Sequence, residues 1–200
     1  SGPLHFRSIA VTDSAVHLLT IGSPALLFRS TDRGESWQVV YQEDHSAAFY
    51  DAMHFWDNQH GIAMGDPTAG CLSVIRTDPG GASWTKVSCS RIPPAVQGEA
   101  AFAASNSNLA LGEKGLAWMV SGGKAARVYK STDYGRNWQV HDSPIISGGQ
   151  MTGIYAVTFY NKQRGIIIGG DWNEKSRNRQ NKAVTQDGGQ SWQLISDGND

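Results

Sequence analysis

Apolar residues in this chain never settle into the spacing of a helix face. They come in short runs closed by Gly, Pro, Asp, Asn or Ser, the pattern of strands joined by tight turns. The sequence then divides into four groups of four strands. The first predicts strands near His5–Val11, Val16–Ile21, Ala25–Arg29 and Trp37–Tyr41. The second places them near Ala52–Trp56, Gly61–Met64, Leu72–Arg76 and Trp84–Ser88. The third gives Ala100–Ala104, Leu116–Val120, Arg127–Lys130 and Trp138–His141, with room for an extra short hairpin within Asn106–Gly115. The fourth gives Ile154–Phe159, Gly165–Ile168, Lys182–Thr185 and Trp192–Ile195.

One turn pattern closes each group. It reads Ser30-Thr31-Asp32-Arg33-Gly34-Glu35-Ser36-Trp37, and returns at Thr77–Trp84, Ser131–Trp138 and Thr185–Trp192, with intervals between the tryptophans of 47, 54 and 54 residues. In each copy the Asp carboxylate can accept from backbone N–H groups of its own turn. Gly34, Gly135 and Gly189 supply the φ > 0 conformation, and the Trp staples the hairpin to its sheet. Asp32, Asp133 and Asp187 stand five residues before Trp37, Trp138 and Trp192, whereas Asp78 stands six before Trp84. The extra residue predicts a local bulge in the second copy.

The turn pattern resembles the Asp-box, or bacterial neuraminidase repeat. The resemblance implies an all-β fold, a β-propeller of four-stranded antiparallel blades with these turns structural and on the outer rim. The blades fall at about 1–45, 46–92, 93–145 and 146–200 of one domain. Phe49-Tyr50-Asp51-Ala52-Met53, Gly65-Asp66-Pro67, Gly98–Ser105 and Gly169-Gly170-Asp171 further resemble a family of exported bacterial propellers similar to photosystem II stability factors. That resemblance implies a periplasmic or secreted protein and a ring of six or seven blades, of which the four read here are part. Members carry the labels oxidoreductase and glycosyl hydrolase.

Composition narrows the chemistry. Hydrophobic residues make up 40% of the chain and charged residues 18%, which excludes a charge-rich disordered chain. The formal net charge of −1 leaves no basic excess for nucleic acid, and no apolar run is long enough to span a bilayer as a helix. A dinucleotide-binding oxidoreductase is opposed by the lack of G-x-G-x-x-G between strand and helix. A channel-bound cofactor would leave little trace, so a cofactor-dependent oxidoreductase stays open, its cofactor unknown. The histidines show no metal-ligand spacing and the sequence demands no metal; a calcium ion in a loop, with Asp66 or Asp171 as oxygen donors, is the alternative. A sialidase-like hydrolase needs an arginine cluster for an acidic sugar. Arg91-Ile92-Pro93 has the right composition for one such arginine but follows the second turn motif rather than preceding the first.

Asp51, Asp66, Glu99 and Asp171 flank inner strands or their connections, where propellers hold ligands, and Arg127 joins them from a third strand. Their plain alternative is that Asp51 and Glu99 cap strand starts while Asp66 and Asp171 pin turns. The leading reading is a binding or assembly scaffold for a small molecule, a glycan or an envelope protein, with no catalytic set assembled. Cys71 and Cys89 fall within one residue of opposite positions on a hairpin. A disulfide there fits the geometry, and two buried thiols remain the alternative; export would favour the bridge.

Overall fold

The computed structural model describes residues 4–102 and 106–195. Among them the only helical pieces are two 3₁₀ turns, Cys89–Arg91 and Glu113–Gly115. Sheet one runs β1 (Phe6–Val11), β2 (Val16–Thr20), β3 (Ala25–Ser30) and β4 (Gln38–Glu43) in sequence order. Sheet two follows the same order through β5 (Tyr50–Phe55), β6 (Gly61–Pro67), β7 (Leu72–Thr77) and β8 (Thr85–Lys86). All pairings are antiparallel.

The third group departs from the pattern read in the sequence. Its innermost strand is not at Ala100–Ala104, of which Ala103 and Ala104 lie outside the described residues. The short strand β9 (Glu99–Ala100) is followed by β10 (Leu109–Leu111), and it is β10 that pairs with β11 (Ala117–Val120). After β12 (Gly122–Gly123), β13 (Arg127–Ser131) and β14 (Gln139–Asp142) complete sheet three. The fourth sheet consists of β15 (Thr152–Phe159), β16 (Gly165–Asp171), β17 (Lys182–Thr185) and β18 (Gln193–Leu194), extended at its inner edge by β12 and then β9. Glycines permit that junction: a β-carbon at Gly122 would stand 2.7 Å from the Thr152 carbonyl oxygen, and one at Gly153 would stand 2.2 Å from the Gly122 α-carbon.

The sheets stack in chain order. Leu19, Leu27, Met53, Ile75 and Trp84 share the core between sheets one and two. Ile62, Met64, Met119, Tyr129 and Trp138 lie between two and three, and Trp118, Val128, Ile154 and Ile167 between three and four. Sheets two and three are covered on both faces, so β6, β7 and β11 are buried almost throughout instead of alternating.

The four turns share one frame. In the first, Ser36 N–H donates to Asp32 Oδ1 at 2.9 Å, Ser30 Oγ donates to the same oxygen at 2.7 Å, and Gly34 N–H donates to Ser30 Oγ at 2.8 Å. Asp133 and Asp187 repeat this with Asn137 N–H and Ser191 N–H, each at 2.9 Å. Trp37, Trp138 and Trp192 each donate through Nε1 to the carbonyl of the turn glycine, at 3.1, 3.0 and 3.2 Å. Hydrogen bonds from Ser36, then Ser30, hold the Asp32 carboxyl well below the usual range.

The second copy corrects two expectations. Gly81 N–H still donates to Thr77 Oγ1, at 3.0 Å, and Arg76 pairs with Thr85 without a register shift, so the bulge is absent. Pro79 occupies the place that Asp32 holds in the first turn, and Asp78 sits one residue early, where its carboxylate takes Arg76 and Arg136 instead of its own turn. The Trp84 indole N–H has no partner. Between third and fourth strands, the one register shift among the described residues is in sheet one, between Leu27 and Phe28.

Candidate functional site

The starts of the innermost strands and the connections from second to third strands share one end of the molecule. There, β1, β5 and β15 each carry a bulge at the same position. Register slips between Phe6 and Ser8, between Tyr50 and Ala52, and between Ile154 and Ala156, leaving Arg7, Asp51 and Tyr155 as the unpaired residues. A bulge of this kind re-aims one side chain. Gly65 and Gly169 make two of them possible, because a β-carbon there would stand 2.0 Å from the Phe49 carbonyl oxygen and 1.9 Å from that of Gly153.

Asp51 is fully buried, and neither carboxylate oxygen has a hydrogen-bond partner. Burial, then the neighbouring charge of Asp66, pushes its pKa up to about 8, with Arg7 pulling the other way. Asp66 is raised by burial too, although its Oδ1 accepts from Ala101 N–H at 2.8 Å. Its strand end borders a cleft of about 400 Å³ shared with Val96 and Glu99. The Tyr155 hydroxyl donates to the Met151 carbonyl at 2.6 Å, and its ring meets Phe102 edge-on with centroids 5.0 Å apart.

Glu99 and Arg127 come together but are spent on each other. Arg127 Nε donates to Glu99 Oε1 at 3.1 Å, Tyr129 OH to the same oxygen at 3.0 Å, and Val96 N–H to Oε2 at 2.8 Å. Arg127 Nη2 also donates to the Pro94 carbonyl at 2.8 Å. This closed network ties the 94–99 loop to sheet three. Asp171 accepts from Asn173 N–H at 2.9 Å, which is turn chemistry. Arg91 is held by its backbone, its carbonyl accepting from Trp138 N–H at 2.9 Å, with an exposed side chain. A larger cleft of about 870 Å³ opens at the other end, among Phe55, Leu111 and Phe159.

The interior is crossed by the segment before β10. Asn106 Oδ1 accepts from Ser8 Oγ at 2.5 Å, its carbonyl meets His54 Nε2 at 2.9 Å, and the Ser107 carbonyl accepts from Val157 N–H at 2.8 Å. Sheets one, two and four are thereby bonded to one strand of chain.

Solved structures resemble this chain to different degrees. The GH74 xyloglucanase from Xanthomonas campestris matches 98% of this chain at 15% identity with a TM-score of 0.67. The GH74 enzyme from Niastella koreensis matches 99% at 16% identity with a TM-score of 0.66. The likeness is one of fold. The chain is a β-propeller. Its four sheets are blades, and they span about 30% of the length of those two enzymes. YCF48 bound to D1 peptide matches 95% of this chain and 81% of its own at 19% identity, with a TM-score of 0.49. No protein-family model and no curated protein matches the chain.

Arg7 and Tyr155 were not among the residues singled out from the sequence. The signal for Tyr155 was present: aligning Gly65 with Gly169 places Tyr155 opposite Asp51. Among the described residues no cluster of His, Cys, Asp or Glu has the arrangement of a metal centre, and no helix is long and apolar enough to cross a membrane. Cys71 and Cys89 form a disulfide across the β7–β8 hairpin, with α-carbons 5.6 Å apart.

Proposed function

We propose that this propeller is a binding scaffold whose ligand sits at the channel mouth marked by Arg7, Asp51, Asp66 and Tyr155. The observation that carries the reading is Asp51. A buried carboxyl whose oxygens make no bond costs stability and needs an explanation; its charge is coupled to that of Asp66, which borders the cleft where a ligand rich in hydrogen-bond donors would sit. A glycan is the class favoured, because its hydroxyls donate to carboxyls and its rings lie against aromatic side chains. The fold likeness to GH74 enzymes supports the same class. The Cys71–Cys89 bridge supports an oxidising compartment, periplasmic or secreted. The redox reading rests on sequence resemblance alone. Isothermal titration with xyloglucan oligosaccharides and a panel of other glycans tests the proposal. Asp51→Asn should abolish binding while the melting temperature holds or rises; unchanged affinity would rule the site out.

Hydrolysis of the bound glycan is a second reading, favoured by the two neighbouring carboxyls raised by burial. A carboxyl with a pKa near 8 is protonated at neutral pH and can serve as a general acid. Release of reducing ends from xyloglucan, lost in Asp66→Asn, would establish it. No release from any glycan that binds would leave binding alone.

A further inference from the structure

The connections from second to third strands rim the channel mouth, and three of them are short. They take residues 21–24, 68–71 and 121–126. In blade four the same connection runs over 172–181 and changes character. Lys175, Arg177, Arg179 and Lys182 stand against the single Glu174 within 172–182, a net of +3 in a chain whose formal total is −1.

A run of one sign is often no more than a solvated surface, so its anchoring matters. Trp172 N–H donates to the Met151 carbonyl at 3.1 Å, the same oxygen that takes the Tyr155 hydroxyl at 2.6 Å. Where the loop returns, the Gln180 carbonyl accepts from Ile146 N–H at 2.9 Å. Ile146 and Met151 both belong to the connection between β14 and β15. The loop is therefore tied to the mouth at Tyr155 and to the blade-three side of blade four.

Its side chains are available. Trp172 is 57% exposed although Lys175 Nζ lies 4.3 Å from its ring centroid. Arg177 meets Glu174 at 3.4 Å in an exposed pair, a kind that is easily exchanged. Arg179 is exposed and makes no ion pair among the described residues. Of the carboxyls singled out at the mouth, Glu99 is matched by Arg127, and Asp51 and Asp66 are raised by burial. They do little to neutralise the loop, and Arg7 adds a further exposed cation at the same end.

We propose that the glycan taken by this mouth is acidic, a chain of uronic acid residues whose carboxylates meet Arg177 and Arg179 while a sugar ring lies against Trp172. The inference rests on the reading of the mouth as a glycan site and narrows its ligand class. Arginine forks suit carboxylates, and cations at alternate positions call for a ligand whose charge repeats.

Isothermal titration of the chain with oligogalacturonate, and with the same oligosaccharide methyl-esterified at its carboxylates, tests this. The acid form should bind roughly tenfold tighter near 0.01 M salt, and the preference should shrink near 0.15 M. Arg177→Gln with Arg179→Gln should bring the two affinities together. Trp172→Ala should weaken both forms, and thermal melts would show that each variant folds. Equal affinity for acid and ester, or a preference that survives the double substitution, would overturn the proposal. Polyglutamate or dextran sulfate binding as tightly as oligogalacturonate would also overturn it, reducing the loop to a general anion surface. Binding confined to neutral xyloglucan oligosaccharides would overturn it while leaving the glycan site standing; failure of every glycan would remove both.

Discussion

The imidazole of His17 in blade one closes on the backbone of Gly81 in blade two so tightly that a β-carbon at 81 would stand 2.0 Å from Nε2. The ring is fully buried, lies 4.6 Å from Phe55 between centroids, and has its pKa lowered to about 4 by burial and then by Arg29. Gly81→Ala should therefore cost about 3 kcal/mol, combining the left-handed backbone at φ 76° with overpacking. Gly70→Ala is the control: its φ is 87° but nothing lies within 4 Å, so about 1 kcal/mol is expected. Denaturant melts of the two variants check the difference.

His17 and Asp51 make opposing contributions to stability with pH. The His17 pKa falls from 6.5 unfolded to about 4 folded, so its contribution is full above pH 6.5 and is lost as pH falls toward 4. The Asp51 pKa rises from 3.8 to about 8, so its contribution is full below 3.8 and is lost as pH rises through 8. Between pH 4 and 6.5 the two slopes offset, and above 6.5 Asp51 alone makes stability decline. In Asp51→Asn, stability should instead climb with pH from 4 to 6.5 and then level off. Chemical denaturation across that range measures both curves.

Turn carboxylates should differ by copy. Asp133→Ala removes the acceptor for Asn137, Arg136 and Ser131 and is expected to cost about 1–2 kcal/mol. Asp78→Ala removes only ion pairs at the surface and should stay within about 0.5 kcal/mol. Equal costs would mean that the second turn depends on its aspartate after all.

The Cys71–Cys89 bridge closes a separation of 18 residues, for which chain entropy gives about 3 kcal/mol. Changing both cysteines to Ser should lower stability by about that amount. A thiol assay of the denatured wild-type chain without reductant should find no free thiol from this pair.

Glu99→Gln and Asp51→Asn should separate structure from binding. Glu99 accepts from Arg127, Tyr129 and Val96, and its charge, itself buried, balances a partly buried guanidinium. Neutralising it should destabilise by about 2–3 kcal/mol. Asp51→Asn should leave stability at neutral pH the same or higher while glycan binding disappears.

The turns were legible because their bonds join residues a few places apart, and spacing to the Trp preserves them. Asp78 misled because its distance from Trp84 was counted from the aspartate; counted from Thr77 through Gly81 the frame is intact. The inner strand of blade three was misplaced because Glu99 and Ala100 do belong to a strand, but its partners are Gly122 and Gly123, a pairing that side-chain patterning does not encode. Arg7, which has no glycine equivalent to Gly65 or Gly169 to align it, stayed hidden for a related reason. A bulge is a property of two strands in register, and one strand read by itself does not reveal it.

The bond from Ser8 to Asn106 has a consequence for how the chain acquires its structure. Blades that touch only their neighbours would fold and fray one at a time, as stacked repeats do. The 98 residues between Ser8 and Asn106 make that contact among the most entropically demanding in the molecule. During synthesis the first blade cannot be locked until the crossing segment has left the ribosome. Once made, it acts with the bonds from His54 and Val157 to the same segment to couple blades one, two and four, so unfolding should proceed in one cooperative step rather than by peeling from either end.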